Sequence, residues 1–456
     1  MLLLVYSPFL KKATHKMPEA VASRTKKLLF NIAGTGAIKA LNIGIGFLLV
    51  RFSIQFLGEE NYGVWLAMLS FFTWFSAFEV GVSSSVRNFI TKAFAESNFE
   101  QIKALIEKAL KALSMIYLIS IAAILVASFM FPIQHFFVGD GSEIPNFSFI
   151  FRFSTVFYLS HFVFFLLNTV YFAIHRTTAS FLILAIQNAL LLLGVVAMIQ
   201  LVDTNQFLYY AIWFSVVPAA TWFIASIVSY LTSLKQAKPS FTKTVFKKSE
   251  PFKMVNWAFF LIQICMLVIY STDNLIIINL LGGTDVALYN IAFKYFNIIQ
   301  VGFNLIIVPY WSSFTDAAHQ KDVPWIKKNV SILLQIWLAF AVLAILMYLV
   351  APTAYRLWMG KEMEIPTLLS MIMALSALLT AWIAIFSYFL NAVAELKAQR
   401  NIILVSAFIN IPLSIWLLGL FGISGVIMAT CVSLLPLAIV LPQQYLRVVQ
   451  KMNIES

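Results

Sequence analysis

The chain has 456 residues, of which 61% are apolar and only 11% are charged. Soluble domains are about 45–50% apolar and about 25% charged. Because a surface facing water must be covered by polar groups, this composition excludes an ordinary soluble protein and predicts a polytopic membrane protein. The two cysteines and five histidines follow no ligand spacing, so neither a disulfide scaffold nor a metal site is expected, and no cofactor is implied.

The first ten residues, MLLLVYSPFL, are apolar but too short to cross a bilayer. They also lack the charge order and the small-residue cleavage site of a signal peptide. Two interpretations stay open at this point. The segment lies in the membrane interface, or the true start of the protein is Met17 and the preceding residues are not translated.

Apolar windows of about 20 residues, separated by charged or Gly/Pro breaks, predict an all-α protein with about 12 transmembrane helices. An α-helix satisfies its backbone hydrogen bonds within the segment itself, as a membrane-spanning segment requires. The predicted spans are 28–56, 62–86, 112–131, 150–173, 179–201, 207–231, 254–281, 286–312, 329–350, 366–391, 400–419 and 422–446.

The positions of lysine and arginine predict the orientation, because these residues resist translocation. With the N-terminus inside, 25 of the 31 cations fall in cytoplasmic segments and only Arg356 and Lys361 fall in external loops. The cytoplasmic parts then include an N-terminal segment 1–27, a Lys-rich linker 232–253 and a tail 447–456. The net charge of +12 is therefore topogenic and gives no support to a nucleic-acid partner.

The two halves of the chain carry a weak repeat. Residues 48–98 and 272–322 both run from a span into Leu-Gly (Leu57-Gly58 and Leu281-Gly282), a short acidic turn, and a tyrosine that opens the next helix. The corresponding tyrosines lie about half the chain apart. We therefore expect two six-helix lobes, 28–231 and 254–446, related by an axis along the membrane normal, with a substrate site between them.

The same residues carry a family resemblance. The stretches are LGEENYGVW (57–65), FEVG (78–81), DNLIIINLLG (273–282), YNIAFK (289–294) and GLFGISG (419–425). They resemble the polysaccharide-biosynthesis flippases, or O-antigen translocases, of the multidrug/oligosaccharidyl-lipid/polysaccharide exporter superfamily.

The resemblance implies two six-helix lobes around a central cavity that opens to either side in turn. It also implies export of undecaprenyl-diphosphate-linked sugars, such as the O-antigen units of lipopolysaccharide, from the cytoplasmic to the outer leaflet of a bacterial inner membrane. Proton or sodium coupling, and partners such as a polysaccharide polymerase and assembly proteins, would accompany that role.

Five ionic side chains fall inside the predicted spans: Lys39, Arg51, Glu79, Asp273 and Lys294. Each costs about 2.5–3.5 kcal/mol near the bilayer centre on insertion scales, so a position facing lipid is unfavourable. All five belong to the first two helices of a lobe. We therefore expect them to face a wet cavity between the lobes.

The three cations are candidates for binding phosphate, because arginine offers a bidentate fork and lysine a point charge. Arg51 is equally well placed to extend its side chain to the outer interface. At 1.5 Å per residue, Asp273 lies about 13 Å and Lys294 about 12 Å below the outer surface, so a structural ion pair is the alternative to coupling and phosphate binding.

Glu79 and Arg87 are the remaining candidates for coupling or gating. They lie two turns apart, and a structural inner gate made by this pair competes with a coupling role for Glu79. His161 in the fourth span is more typical of a hydrogen-bonded core histidine than of a proton relay.

Two rival functions stay open beside the flippase. A drug or cation antiporter of the same superfamily would have a more acidic or neutral cavity. A membrane transferase that polymerises or ligates the same sugars would carry catalytic residues on its longer external loops, and no such arrangement is visible. The chain has no P-loop, so any driving energy would come from an ion gradient or the membrane potential. We therefore do not expect an enzyme.

Overall fold

The structure is a computed structural model that describes residues 19–138, 144–239, 257–393 and 395–454. Side chains are described from residue 36 onward, except at 84, 85, 257–260, 312, 453 and 454. The predictions for the first ten residues and for Met17, and those for most of the linker 232–253, lie outside the described residues.

The described chain is almost entirely helical. Its fifteen α-helices are α1 (Glu19–Trp74), α2 (Ser76–Ala95), α3 (Phe99–Met130), α4 (Ile133–Val138), α5 (Phe147–Phe164), α6 (Leu166–Ala173), α7 (Thr177–Leu201), α8 (Gln206–Leu231), α9 (Trp257–Leu280), α10 (Gly283–Ile307), α11 (Tyr310–His319), α12 (Val323–Met359), α13 (Thr367–Ala392), α14 (Lys397–Phe421) and α15 (Ile423–Ile454). A short 3-10 helix, Lys235–Ala237, follows α8.

Ten helical stretches of the described chain are long and apolar enough to cross a membrane, so the protein is a multi-pass membrane protein. The first stretch, Gly36–Ala95, makes two crossings because the chain folds back at Gly58, where φ is 76°. The side chain of Tyr210 contacts both Ser53 and Trp65, on either side of that turn. With α10, which has the length of a span, the helices agree with the prediction of about twelve crossings.

Corresponding turns repeat in the two halves of the chain. Gly58 and Gly282 both adopt positive φ, 76° and 107°, a region that glycine enters without a steric penalty. Asn98 caps the start of α3 and Asp322 caps the start of α12, each by accepting a hydrogen bond of 3.0 Å from the backbone N–H three residues on. The Leu-Gly repeat in the sequence therefore marks a structural repeat.

The packing of the helices follows the same repeat. In the first half, α1 packs on α7 and α5 packs on α8; in the second half, α9 packs on α14 and α13 packs on α15. Contacts between the halves are made mainly by α1 and α2 with α9 and α10. The predicted two six-helix arrangement is confirmed at this level, and the opening helices of each half form the interface.

Large apolar side chains cover the outside of the described helices. Phe408 is 81% exposed, Leu349 67% and Met115 65%, on α14, α12 and α3. Such a surface is unfavourable in water and suits contact with lipid acyl chains.

Candidate functional site

The two halves meet most closely at the end of the molecule where Gly58, Gly282 and Gly360 turn the chain, which we name the Gly58 end. There the backbones of Gly63 and Gly283 touch. A Cβ atom on Gly63 would lie 1.8 Å from the carbonyl oxygen of Gly283, and one on Gly283 would lie 2.2 Å from the carbonyl oxygen of Glu60. Only glycine fits at both positions, so this contact depends on the absence of side chains.

Polar side chains also join the halves at or near the Gly58 end. Lys361 Nζ donates to Glu59 Oε1 at 2.6 Å. The indole N–H of Trp358 donates to the carbonyl oxygen of Phe47 at 2.9 Å, and the two rings lie 4.4 Å apart.

Deeper along the interface, Asn274 Nδ2 donates to Ser70 Oγ at 2.8 Å, and Asn274 Oδ1 accepts from Asn290 Nδ2 at 2.8 Å. This chain of bonds ties the first half to two helices of the second. Together with the glycine contact, it closes the interface toward the Gly58 end.

Arg51 lies at this closed end. Its side chain is exposed and its guanidinium packs against Gly360, where a Cβ atom would stand 3.0 Å from Nη2. The structure therefore places Arg51 beside a turn of the opposite half, two turns of helix before Gly58, rather than deep between the halves.

Lys294 and Lys39 lie along one face of α1. Lys294 reaches across from α10 and its Nζ stands 3.6 Å from where a Cβ atom of Gly46 would be. Lys39 lies two turns before Gly46, about 10 Å along the helix axis, with its ammonium 4.5 Å from the ring centre of Phe181. Asn42 lies between Lys39 and Gly46 on α1, and its Oδ1 accepts a 3.0 Å hydrogen bond from Asn188 Nδ2.

Neither lysine forms an ion pair with any acid in the part of the chain that the structure describes. Both side chains are only partly buried. Two cations, one from each half, therefore stand unneutralised along the same face of α1; we name this pair the lysine track (Lys39 and Lys294).

Asp273 does not pair with Lys294, so the structural ion pair considered above is wrong. Asp273 is 1% exposed inside the second half, where Oδ2 accepts a 2.5 Å hydrogen bond from the hydroxyl of Tyr289. Thr430 lies next to the same carboxylate. Asp273 Oδ1 and Asn410 Oδ1 are both buried without a hydrogen-bond partner among the described residues.

Glu79 is likewise buried within its own half, at 5% exposure, and accepts a hydrogen bond from the hydroxyl of Ser83. Arg87 points elsewhere, with its guanidinium 5.3 Å from the ring centre of Phe172. The proposed Glu79–Arg87 ion pair is therefore absent. The expectation that all five charges face one cavity is also wrong for the two acids, because each is enclosed by helices of its own half.

His161 does not make the hydrogen bonds expected of a core histidine. It packs among the rings of Tyr158, Phe162 and Phe165, and neither ring nitrogen has a partner among the described residues.

A cavity of about 250 Å³ opens between α9, α10 and α13, and we name it the α10 pocket. Phe293, Asn297 and Gln300 on α10, Tyr270 on α9, and Ser376 and Thr380 on α13 line it. This pocket was not predicted from the sequence. The only signal was the spacing of Phe293, Asn297 and Gln300 at three and four residues, which puts them on one helical face.

A second cavity, of about 330 Å³, lies in the first half between α3, α5, α6 and α8. Its walls are mostly apolar, among them Val163, Leu167 and Ile227, and Lys238 stands at one side.

Comparisons with known proteins agree with the resemblance seen in the sequence. No family model matches the chain. It is similar to a putative O-antigen export protein of Yersinia pseudotuberculosis, 21% identical over 378 residues, which cover 79% of this chain and 82% of that protein. It is also similar to a putative O-antigen transporter of Salmonella typhi, 30% identical over 73 residues, or 16% of this chain and 17% of that one.

Solved structures share the fold. The inward-facing conformation of a multidrug resistance MATE family transporter of the MOP superfamily matches with a TM-score of 0.69 at 15% identity, over 92% of this chain and 96% of that one. The lipid II flippase MurJ, in an inward closed conformation, matches with a TM-score of 0.67 at 14% identity, over 93% and 91%. The fold is therefore one that the two kinds of transporter have in common.

Proposed function

We propose that the protein is a flippase that moves an undecaprenyl-diphosphate-linked oligosaccharide, such as an O-antigen repeat unit, across a bacterial inner membrane by alternating access. The observation that carries the proposal is the lysine track, Lys39 and Lys294, which offers two unneutralised cations between the halves. The names of the sequence relatives point to the same class of cargo.

The charge of the cargo determines which side chains the transport path must supply. A diphosphate cannot enter a bilayer alone, because moving charge into hydrocarbon is far too costly. Ammonium groups within reach replace part of its hydration with charge-assisted hydrogen bonds. Lys39 and Lys294 belong to different halves, so both can contact one diphosphate while the halves move. Arg51, nearer the Gly58 end, is then the cation that meets the diphosphate as it leaves.

We propose that the Gly58 end faces outward, with both termini in the cytoplasm. The distribution of lysine and arginine supports this orientation. In it, 1–27 and 447–456 are cytoplasmic, 232–253 links the lobes 28–231 and 254–446 on the same side, and the contacts at Gly63 and Gly283 seal the outer side. The described conformation would then receive substrate from the cytoplasmic leaflet.

For the driving energy, we propose that Asp273 takes up the coupling proton or sodium ion. Thr430 lies beside both Asp273 and Asn410, and Asp273 Oδ1 and Asn410 Oδ1 are buried without a hydrogen-bond partner of normal geometry among the described residues. Unpaired buried oxygens are costly, so a bound proton or cation would stabilise them. Glu79 and Arg87 would instead support the first half near its cytoplasmic end, with Glu79 held by Ser83.

The decisive experiment replaces the gene in its own host by variants and measures surface glycan together with the lipid-linked precursor that accumulates inside. Lys294→Ala and Lys39→Ala should lower surface glycan at least tenfold and raise the precursor, whereas Lys294→Arg should retain most activity because the charge is kept. Lys397→Ala, an exposed lysine at the start of α14, is the matched control. Normal surface glycan in both alanine variants would refute the proposal.

A second candidate, a multidrug or cation antiporter, is favoured by the fold shared with the MATE transporter and by the mostly apolar walls of the cavities. Measuring drug resistance in the same strains distinguishes the two. Lost drug resistance with unchanged glycan in the Lys294→Ala strain would favour the antiporter.

A further inference from the structure

The α10 pocket combines aromatic and amide side chains in a small volume. Phe293 is 40% exposed while lining the pocket, and Asn297 and Gln300 extend the same face of α10 by one and two turns. Binding pockets for small molecules are typically apolar and aromatic, with a few polar groups that fix the orientation of the ligand. At about 250 Å³ the pocket is smaller than the range of about 300–1,000 Å³ that is usual for drug-sized ligands, and therefore suits a single ring.

Two polar atoms on the pocket wall lack hydrogen-bond partners among the described residues. The hydroxyl of Tyr270 lies beside Thr380 without a hydrogen bond of normal geometry and can donate or accept, and Gln300 Oε1 accepts; both atoms are buried. Leaving such a buried group without a hydrogen bond is unfavourable. Ser376 and Thr380 add hydroxyl groups on the facing helix. A polar, hydroxylated ligand would fit this wall better than an apolar one.

We propose that the α10 pocket binds the sugar ring attached to the diphosphate of the cargo, and this proposal rests on the flippase function proposed above. The apolar C–H face of a pyranose packs on the ring of Phe293, while its hydroxyls bond to Asn297, Gln300 and Tyr270. The pocket thereby recognises the sugar, whereas the lysine track recognises the diphosphate that every lipid-linked sugar shares.

The position of the pocket relative to Lys294 supports this division. Lys294 and Asn297 are three residues apart on α10, which is about 4.5 Å along the axis and less than one turn of the helix. Lys294 extends toward Gly46 of the first half, while Asn297 faces the pocket. A diphosphate held by Lys294 would therefore bring the first sugar close to the pocket.

The test measures binding of two probes to the purified full-length protein in lipid nanodiscs. One probe is the lipid-linked oligosaccharide extracted from host cells that lack this gene, and the other is undecaprenyl diphosphate without sugar. The double variant Asn297→Leu/Gln300→Leu removes the two amides, and Asn304→Leu, one turn beyond Gln300 on the same helix, is the matched control. Lys294→Ala tests the phosphate contact in parallel.

The wild-type protein and the Asn304→Leu control should bind the sugar-bearing lipid about tenfold more tightly than the bare diphosphate, because the sugar adds hydrogen bonds to Asn297 and Gln300. The double variant should lose this preference while its affinity for undecaprenyl diphosphate stays unchanged, which also shows that it is folded. Lys294→Ala should weaken the binding of both probes by similar factors.

The outcomes separate the two proposals. A double variant that keeps the preference for the sugar-bearing lipid, or a wild-type protein that binds both lipids equally, overturns the pocket proposal and leaves the flippase in place. A wild-type protein that binds neither lipid overturns the flippase proposal and the pocket with it.

Discussion

Gly63 and Gly283 bring the backbones of the two halves into direct contact, so close that a single methyl group on Gly63 would overlap the carbonyl of Gly283. Contacts of this kind let helices approach in a membrane, where small residues at interfaces are favoured. Because the contact belongs to the Gly58 end, its making and breaking would report whether that end is closed or open.

The first prediction concerns this contact. Gly63→Ala should prevent closure of the Gly58 end, because a Cβ atom there would stand 1.8 Å from an oxygen. Overpacking of about 1–3 kcal/mol would lower the ratio of closed to open protein about five- to 150-fold. The measurement is double electron–electron resonance on protein lacking Cys265 and Cys431. Spin labels at Asp203→Cys and Glu364→Cys, exposed loop residues of the two halves, give the distance between the halves. Gly419→Ala, where a Cβ atom meets nothing within 4 Å, is the control. Equal distance distributions in the two variants would contradict the prediction.

The second prediction concerns the ion pair between Lys361 and Glu59. Both side chains reach solvent, at 54% and 25% exposure, so the pair contributes at most about 1 kcal/mol. Glu59→Lys should shift the same spin-label distances toward the open form by up to about fivefold in population, because two lysines then face each other. Adding Lys361→Glu should restore the wild-type distribution. A double variant as open as the single one would mean that the pair does not act between these residues.

The third prediction concerns Asn274, which bonds to Ser70 across the interface and to Asn290 within its own half. Hydrogen bonds between membrane helices contribute about 0.6 kcal/mol on average and up to about 1.7 kcal/mol. Asn274→Ala should therefore raise the open population about three- to twentyfold. Asn279→Ala is the control, because Asn279 is exposed on the same helix and its side-chain amide donates to the carbonyl oxygen of Leu275, one turn earlier. If both variants opened the protein equally, the bond to Ser70 would have no special part in closure.

The fourth prediction concerns coupling at Asp273. Asp273→Asn keeps an oxygen that can accept from Tyr289 but removes the group that binds a proton or cation. The variant should fold and bind lipid-linked oligosaccharide, yet its transport into vesicles should no longer respond to a proton or sodium gradient. Tyr289→Phe, which removes the hydrogen bond and leaves the carboxylate, should retain the response.

The measurement is uptake of radiolabelled lipid-linked oligosaccharide with each gradient imposed in turn. A gradient-driven rate in Asp273→Asn equal to that of the wild type would show that another group carries the coupling. Asp285→Asn, a carboxylate in the first turn of α10, serves as the control for loss of a negative charge in the same region.

The sequence predicted the elements of this fold because the bilayer imposes a length and a composition on every span. It also predicted the turns at Gly58 and Gly282, since a Leu-Gly pair before an acidic turn marks the end of a helix, and both glycines adopt positive φ. Position along a helix follows from counting residues, and Asp273 and Lys294 both lie within helices of spanning length, Trp257–Leu280 and Gly283–Ile307.

Direction around a helix was not predictable in the same way. Asp273 and Asn274 are neighbours, yet Asp273 turns inward to Tyr289 while Asn274 reaches Ser70 in the other half. Consecutive side chains differ in direction by about 100° around the helix axis. A nearly all-apolar helix has no periodic pattern that shows which direction faces the other half. For the same reason, the contact of Gly63 with Gly283 depends on how the halves meet, which no local pattern encodes.

The division of the lysine track between the halves has a mechanical consequence. A cargo held by Lys39 and Lys294 together favours whichever conformation brings both ammonium groups within reach, and it disfavours every other arrangement by the affinity it would lose. The bound lipid would thus stabilise one conformation of the protein until it is released. An empty carrier and a loaded one would prefer different shapes, although the protein itself is unchanged.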